Sequence, residues 1–348
     1  MPNVIRKTTG YGLAIISDTH TNQTANGGNM DPLMDLVRAH PNLCALLSCG
    51  DQNLGQWVET AEKDDFDDWI ATQSLGSLPV LVVPGNHDTY WPISYSSGSD
   101  TNEPHGVIKA RYPHLFKGKE WYTWDYESLR IVVMNNLTDD TSGNYNNCNP
   151  PYNGQTPNPD WSGFDTTDSE QQLFIANAFS SSDHLWKIGA LHRPVYAPFD
   201  DDPSVVGRPT HISQRNGIIR TAILNGMSVL SQGDQHIRFI GKKYIQNGIS
   251  NETAGITIVD DKTGVGCWPI INSGTYATNR AIDLSFLPGS TEGTHYLYAS
   301  GNAEAGIGCG SLTILDFYGD MARIRLWECT DGETAVLQYD GEIWRNPA

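Results

Sequence analysis

Long hydrophobic runs are missing from this sequence. Nowhere do about eighteen apolar residues stand together, the length a helix needs to cross a bilayer, so no membrane span is expected. Positive charge is also scarce. Twenty-two lysines and arginines stand against 40 aspartates and glutamates, a formal net charge of -18. A surface this acidic repels polyanions at long range, which disfavours nucleic acid as a main partner. Cysteine is sparse as well, six in 348 residues with no Cys-x-x-Cys pair, so a disulfide-built scaffold is not expected. Cys44 and Cys49 flank one apolar run and are expected as buried thiols on opposite sides of a strand, while Cys148, Cys267, Cys309 and Cys329 remain open to pairing. The stretch Met1 to Gly10 lacks the apolar core of a secretory signal. Few lysines and much Asn, Thr, Gly, Tyr and Trp give a weak compositional lean toward an extracellular setting.

What is present is an ordinary globular balance, 39% hydrophobic and 18% charged, in a chain long enough for one large core or two modest ones. Gly12 to Ser17, Leu43 to Ser48 and Val80 to Val83 read as short buried strands. Between the first two, Asp31 as N-cap and Pro32 at the first helical position open a helix to about Arg38. Between the second and third, a helix from Trp57 to about Leu75 carries Trp57, Ala61, Phe66, Trp69 and Ile70 on one face. The acids Asp64, Asp65, Asp67 and Asp68 read as its solvated face rather than a calcium site. Strand, helix, strand, helix, strand argues for parallel α/β topology.

Further along, some helix is expected around Gly106 to Tyr112, then a strand pair over Trp121–Asp125 and Leu129–Asn135. Asn136 to Asp165 is a long polar loop, read as a wall facing a substrate. Thr167-Asp168-Ser169-Glu170 forms a capping box that opens a helix to about Phe179. Strands follow at Trp186–Leu191 and Met227–Ser231, with a helix over Ile212–Leu224 between them. From Ile237 the chain is strand-like, with runs such as Ile256–Val259, Pro269–Ile271, Leu312–Leu315 and Ala322–Leu326. It is read as completing a second sheet of one domain spanning residues 1–348.

The chemistry sits at the strand ends. Asp18-Thr19-His20, Gly50-Asp51, Gly85-Asn86-His87-Asp88, His192-Arg193 and Gly233-Asp234-Gln235-His236 each follow an apolar run. In open α/β sheets the carboxyl ends of strands are where ligands bind. Any one of these segments alone is an ordinary polar turn. Their order and placement together resemble the calcineurin-like metallophosphoesterase family, whose pattern is Asp-x-His, Gly-Asp, Gly-Asn-His-Asp/Glu, His and Gly-His-x-His. That resemblance spans nearly the whole chain. It implies an α/β sandwich of two mixed β-sheets flanked by helices.

It also implies a dinuclear centre of divalent metal ions (Mn, Fe, Zn or Mg) that hydrolyses phosphate esters of a small phosphorylated substrate, either monoester or diester. Carried over residue by residue, Asp18, His20 and His236 would hold one ion, Asn86 and His192 the other, and Asp51 would bridge them. His87 would assist the leaving oxygen, oriented by Asp88, and Arg193 could reach a substrate phosphate. Carboxylate and imidazole donors suit such ions, and a bridging carboxylate sets them about 3.5–4 Å apart, able to activate a shared water.

This sequence departs from the family pattern at Asp234, which stands where the first His of the last block would bind the second ion. A third carboxylate lowers the net charge of the centre and favours harder ions such as Mn or Mg. The purple acid phosphatase variant of the site is not expected, because Gln52-Asn53-Leu54 after Asp51 holds no tyrosine and His20 stands where that group has glycine. Two alternatives stay open at this point. One is hydrolysis of nucleotides or pyrophosphate, and the other is a member that keeps the fold and binds a ligand without turnover.

Overall fold

Two β-sheets pack face to face. The computed structural model describes residues 10–19, 21, 24–52, 65–85, 88, 111–117, 119, 121–135, 169–192, 222, 225–233, 237–244, 267–273, 294–301, 310–329 and 333–344. Among these, thirteen strands form the sheets. The first sheet holds β1 (Tyr11–Ile16), β2 (Leu43–Ser48) and β3 (Val80–Val82), all parallel. On the other side of β1 it continues through β11 (Gly310–Tyr318), β12 (Met321–Cys329) and β13 (Val336–Trp344), each antiparallel to its neighbour.

The second sheet has the order β10-β8-β9-β7-β6-β5-β4. Its parallel centre is β5 (Leu129–Val133), β6 (Trp186–Ala190), β7 (Val229–Gln232) and β9 (Cys267–Ser273). The antiparallel strand β4 (Tyr122–Tyr126) closes one edge, and β8 (Ile237–Tyr244) with β10 (Thr294–Gly301) closes the other. Both sheets are therefore mixed, as the motifs implied.

Alternation along β1 shows how the layers are built. Leu13 and Ile15 face the second sheet and join one buried cluster with Ala45, Leu47, Leu81, Ile131, Val133, Ile188 and Val229. Ala14 and Ile16 point the other way, against Met30, Leu33, Met34 and Val37 of helix α1 (Thr24–Ala39). With both faces covered, the strand is apolar at every position, which is why it reads as a continuous hydrophobic run. Each such Leu or Ile, fully removed from water, contributes about 1.5–3 kcal/mol relative to exposure. Trp186 at the start of β6 spans the layers: its ring lies 5.2 Å from that of Phe317, and its indole N–H donates to Gly319 O at 2.7 Å.

Several expectations need correction. Helix α1 begins at Thr24, seven residues before the Asp31-Pro32 cap, so Pro32 lies inside it. The buried stripe Met30, Leu33, Met34 and Val37 secures the helix against the sheet despite the N–H that proline lacks. Cys44 and Cys49 do not face opposite sides; both lie in the inter-sheet core. The pairing with β1 jumps from Leu43 to Ala45, and this bulge at Cys44 breaks the two-residue alternation. The late strands do not all complete the second sheet, since β11 to β13 return to the first.

Helix α2 (Asp65–Thr72) does not leave its acids wholly to solvent, because Asp67 accepts from Arg111 Nε at 2.6 Å and from the Tyr112 hydroxyl. The short helix α3 (Pro113–Phe116) follows directly. Helix α4 (Ser169–Ser180) matches its expected span, and its final turn is capped by Lys187 Nζ donating to Phe179 O. Apart from Ala222, which is helical and buried, the helix expected over 212–224 lies outside the described residues, as do the loop 136–165, the strand 256–259 and most of the helix around 106–112. Cys329 is buried. Among the described residues no helix is long and apolar enough to cross a membrane.

Candidate metal centre

The parallel strands end at one place and their loops continue the ladder. Cys49 N–H donates to Ile16 O at 2.8 Å, Asp18 N–H to Gly50 O at 2.9 Å, and Val83 N–H to Ser48 O at 2.9 Å. In the second sheet Leu191 N–H donates to Ser231 O at 3.1 Å and Gly233 N–H to His192 O at 2.8 Å. Immediately past these strands the backbone leaves extended geometry. Asp18 has φ 53°, Asp51 has φ 50° and Gly50 has φ 93°. Left-handed backbone costs a non-glycine residue about 1–2 kcal/mol, and aspartate bears it better than most. Two such aspartates at two strand ends mark where the fold holds strain for a purpose.

The turns bring Asp18, Asp51 and His192 together, one ligand atom from each lying within 4.8 Å of the others. All three are buried, at 0%, 1% and 0% exposure. His192 Nδ1 lies 2.7 Å from Cys49 O. A carbonyl only accepts, so Nδ1 carries the proton, and in the neutral ring Nε2 turns its lone pair toward the centre. Nε2 lies 3.2 Å from Asp51 Oδ1. Ser17 Oγ donates to Asp18 Oδ2 at 2.6 Å and also reaches Cys49 O at 3.0 Å. The Cys49 carbonyl thus orients the imidazole from the second sheet, and the serine beside it gives its one proton to the first carboxylate. Two carboxylates out of water and this close to each other repel, and a cation between them relieves both the repulsion and the lost hydration. The donor set, oxygen and imidazole nitrogen with a second hydrogen bond fixing the ring, fits a divalent ion.

The Cys49 thiol is not part of that donor set. It lies 3.0 Å from Ser231 Oγ, and burial pushes its pKa up to about 12, so it stays protonated.

Asp88 is buried beside these residues at 2% exposure. Its Oδ1 accepts from Gln52 N–H at 2.8 Å and its Oδ2 from Gly85 N–H at 2.9 Å. Gln52 then links the other loops. Its carbonyl accepts from Thr19 Oγ1 at 3.0 Å, Thr21 N–H at 3.0 Å and Thr21 Oγ1 at 3.1 Å. Its Nε2 donates to Val83 O at 3.0 Å and Ser48 Oγ at 3.3 Å. Close approach here leaves no room for side chains. A Cβ on Gly85 would lie 2.0 Å from Asp51 N, and one on Gly233 would lie 2.0 Å from Ser17 Oγ.

Of the ten residues singled out in the sequence, Asp18, Asp51, Asp88 and His192 are therefore found at one site. His20, Asn86, His87, Arg193, Asp234 and His236 lie outside the described residues. Sequence reasoning missed Ser17, the Cys49 carbonyl and Gln52. Backbone acceptors carry no sequence signal, and a serine or glutamine beside an aspartate is common.

Residues 12–236, well over half of the chain, match the family model for calcineurin-like phosphoesterase. A search of curated proteins returned no match. Among solved structures, the chain is similar to the purple acid phosphatase PPD1 from yellow lupin (Lupinus luteus) seeds, at 13% identity and TM-score 0.59, covering 97% of this chain and 54% of that one. It is similar to PhoD at 12% identity and TM-score 0.59, covering 97% of this chain and 70% of that one. A dimetal phosphatase from Danio rerio aligns at 12% identity and TM-score 0.53, covering 96% and 99%. At such identities the likeness is one of fold, and the chain spans little more than half the length of the lupin enzyme, 54%. The strand order, the buried Asp18–Asp51–His192 group and the matched family model agree: the chain belongs to the calcineurin-like phosphoesterase family.

Proposed function

We propose that this protein hydrolyses phosphate esters at a two-cation centre and that its substrates are small organic monoesters or diesters. The observation that carries the reading is the buried Asp18–Asp51–His192 group, with the imidazole held by Nδ1 so that Nε2 faces the carboxylates. Asp18, His20 and His236 would hold one divalent ion, Asn86, His192 and Asp234 the other, with Asp51 reaching both. When bound, ions of this kind polarise a phosphoryl oxygen and make water acidic enough to attack phosphorus.

The chain's own residues do the rest. The left-handed turns at Asp18 and Asp51 aim both carboxylates inward. Cys49 O fixes the His192 tautomer through the 2.7 Å bond to Nδ1. Asp88 ties down the Gly85 backbone on which His87 follows, and His87 delivers a proton to the departing oxygen. Arg193 meets negative charge on the substrate. The acidity of the molecule, -18 overall, favours compact substrates over nucleic acid polymers.

Metal content per chain, measured together with hydrolysis of p-nitrophenyl phosphate and bis-p-nitrophenyl phosphate in added Mn, tests the reading. Two ions per chain and turnover abolished in Asp51→Ala are expected. A folded, metal-replete chain with no turnover on a broad phosphoester panel, nucleotides and pyrophosphate included, would sink the enzyme reading and leave ligand binding. Asp234→Ala is expected to weaken the second ion; unchanged metal content and rate would remove Asp234 from the ligand set.

A further inference from the structure

The loops that leave β2 and β3 are fastened to each other at one carboxylate. Asp88 accepts from Gln52 N–H with Oδ1 and from Gly85 N–H with Oδ2, at 2.8 and 2.9 Å. The first of these amides belongs to the peptide that follows Asp51, whose backbone stands at φ 50°. The second belongs to the residue before Asn86. The fastening coincides with a bare contact between the loops, since a Cβ on Gly85 would meet Asp51 N at 2.0 Å, Asp51 Oδ1 at 2.3 Å and Asp88 Oδ2 at 2.7 Å. Gln52 carries the constraint onward, to Thr19 and Thr21 through its carbonyl and back to Val83 through Nε2.

We propose that Asp88 is a positioning residue that fixes the Asp51 loop against the Gly85–Asn86 loop and so sets the spacing at which two cations are held. The proposal rests on the reading that Asp51 and Asn86 hold metal. An ionised carboxylate is acceptor-only, so it can satisfy two converging N–H groups at once. An asparagine of the same shape must turn its NH₂ toward one of them, which breaks one of the two fastenings whichever way the amide is rotated. A glutamate keeps both acceptors on a longer arm.

The test uses the full chain, Asp88→Asn and Asp88→Glu, with two readouts. Amide hydrogen exchange without added metal reads the fastening directly. Gln52 and Gly85 amides are expected to be protected in the wild-type chain and to exchange on the order of tenfold faster in Asp88→Asn, while the Leu46 amide in β2 is unchanged. Titration with Mn, followed by calorimetry and by electron paramagnetic resonance, reads the consequence. The second ion is expected to bind on the order of tenfold more weakly in Asp88→Asn with loss of the coupled two-ion spectrum, and Asp88→Glu to recover most of both.

Unprotected Gln52 and Gly85 amides in the wild-type chain overturn the proposal without any variant. So does an Asp88→Asn chain whose two ions bind and couple as in the wild type. If the wild-type chain binds no Mn at all, the two-cation reading fails, and the exchange data still decide separately whether Asp88 joins the loops.

Discussion

Adding one methyl group at Gly85 tests how tightly the site loops are packed. In Gly85→Ala the new Cβ would stand 2.0 Å from Asp51 N, 2.3 Å from Asp51 Oδ1 and 2.7 Å from Asp88 Oδ2. None of these is the far end of a flexible chain: the first is backbone, and the carboxylates are buried and bonded. Real Cβ contacts essentially never fall under 3.0 Å, so the loops must part by about 1 Å or more, which carries Gln52 N–H out of range of Asp88 Oδ1. Overpacking of a dense region costs about 1–3 kcal/mol. Loss of a hydrogen bond to a charged group adds about 1.5–3 kcal/mol.

Together these give about 2.5–6 kcal/mol, against a typical total stability of about 5–15 kcal/mol. With an unfolding entropy near 2.1 cal/mol/K per residue, the melting temperature should fall by about 3–8 °C. Gly76→Ala is the matched control. Unlike Gly85 it has positive φ, +64°, so its cost is backbone strain alone: a Cβ there meets nothing within 4 Å. It should cost about 1 kcal/mol, a shift of roughly 1–2 °C. Calorimetric melting of the three chains decides the matter. A Gly85→Ala chain that melts with the control and binds metal like the wild type would refute the argument that these loops press on each other.

Two further outcomes are expected. The Asp316 carboxyl lies below the usual carboxylate range: burial alone would raise it, but hydrogen bonds from His40, at 2.7 Å, and from Arg325 outweigh that. Its folded pKa is therefore lower than the unfolded value of about 3.9, so its contribution is fully present above about pH 4 and is lost as pH falls through the folded value. Urea midpoints from pH 6 to pH 2 should drop less steeply below pH 4 in Asp316→Asn than in the wild type; parallel curves would show that the pairing carries no pH-linked stability. Burial also holds the Cys44 and Cys49 thiols up at about 12 each, so neither should react with a disulfide reagent until urea unfolds the chain. Peptide mapping that finds either modified in the native protein would contradict their burial.

The motif residues were legible because they follow apolar runs of the kind a buried parallel strand requires. Val80–Val82 and Leu43–Ser48 were read with correct type and nearly correct bounds. Helix α1 was not fully legible. Asp31-Pro32 is a sound start signal locally, but the helix already begins at Thr24, and only the packed sheet shows the stripe Met30, Leu33, Met34 and Val37 to be buried. Cys44 was misplaced because a bulge leaves no mark in a short apolar run. The return of β11 to β13 to the first sheet was out of reach too, since alternation tells which face of a strand is buried and not which strand it pairs with.

For the site, the sequence by itself determined which side chains stand at strand ends, because side-chain chemistry and its order along the chain are sequence properties. Tertiary structure alone decided the rest. It placed Asp18, Asp51 and His192 within 4.8 Å of one another across two sheets. It chose the Nδ1–H tautomer through the Cys49 carbonyl and gave Asp88 two backbone amides as partners. Those contacts join residues up to 143 positions apart through backbone groups that every residue carries, so no reading of side chains along one strand can find them.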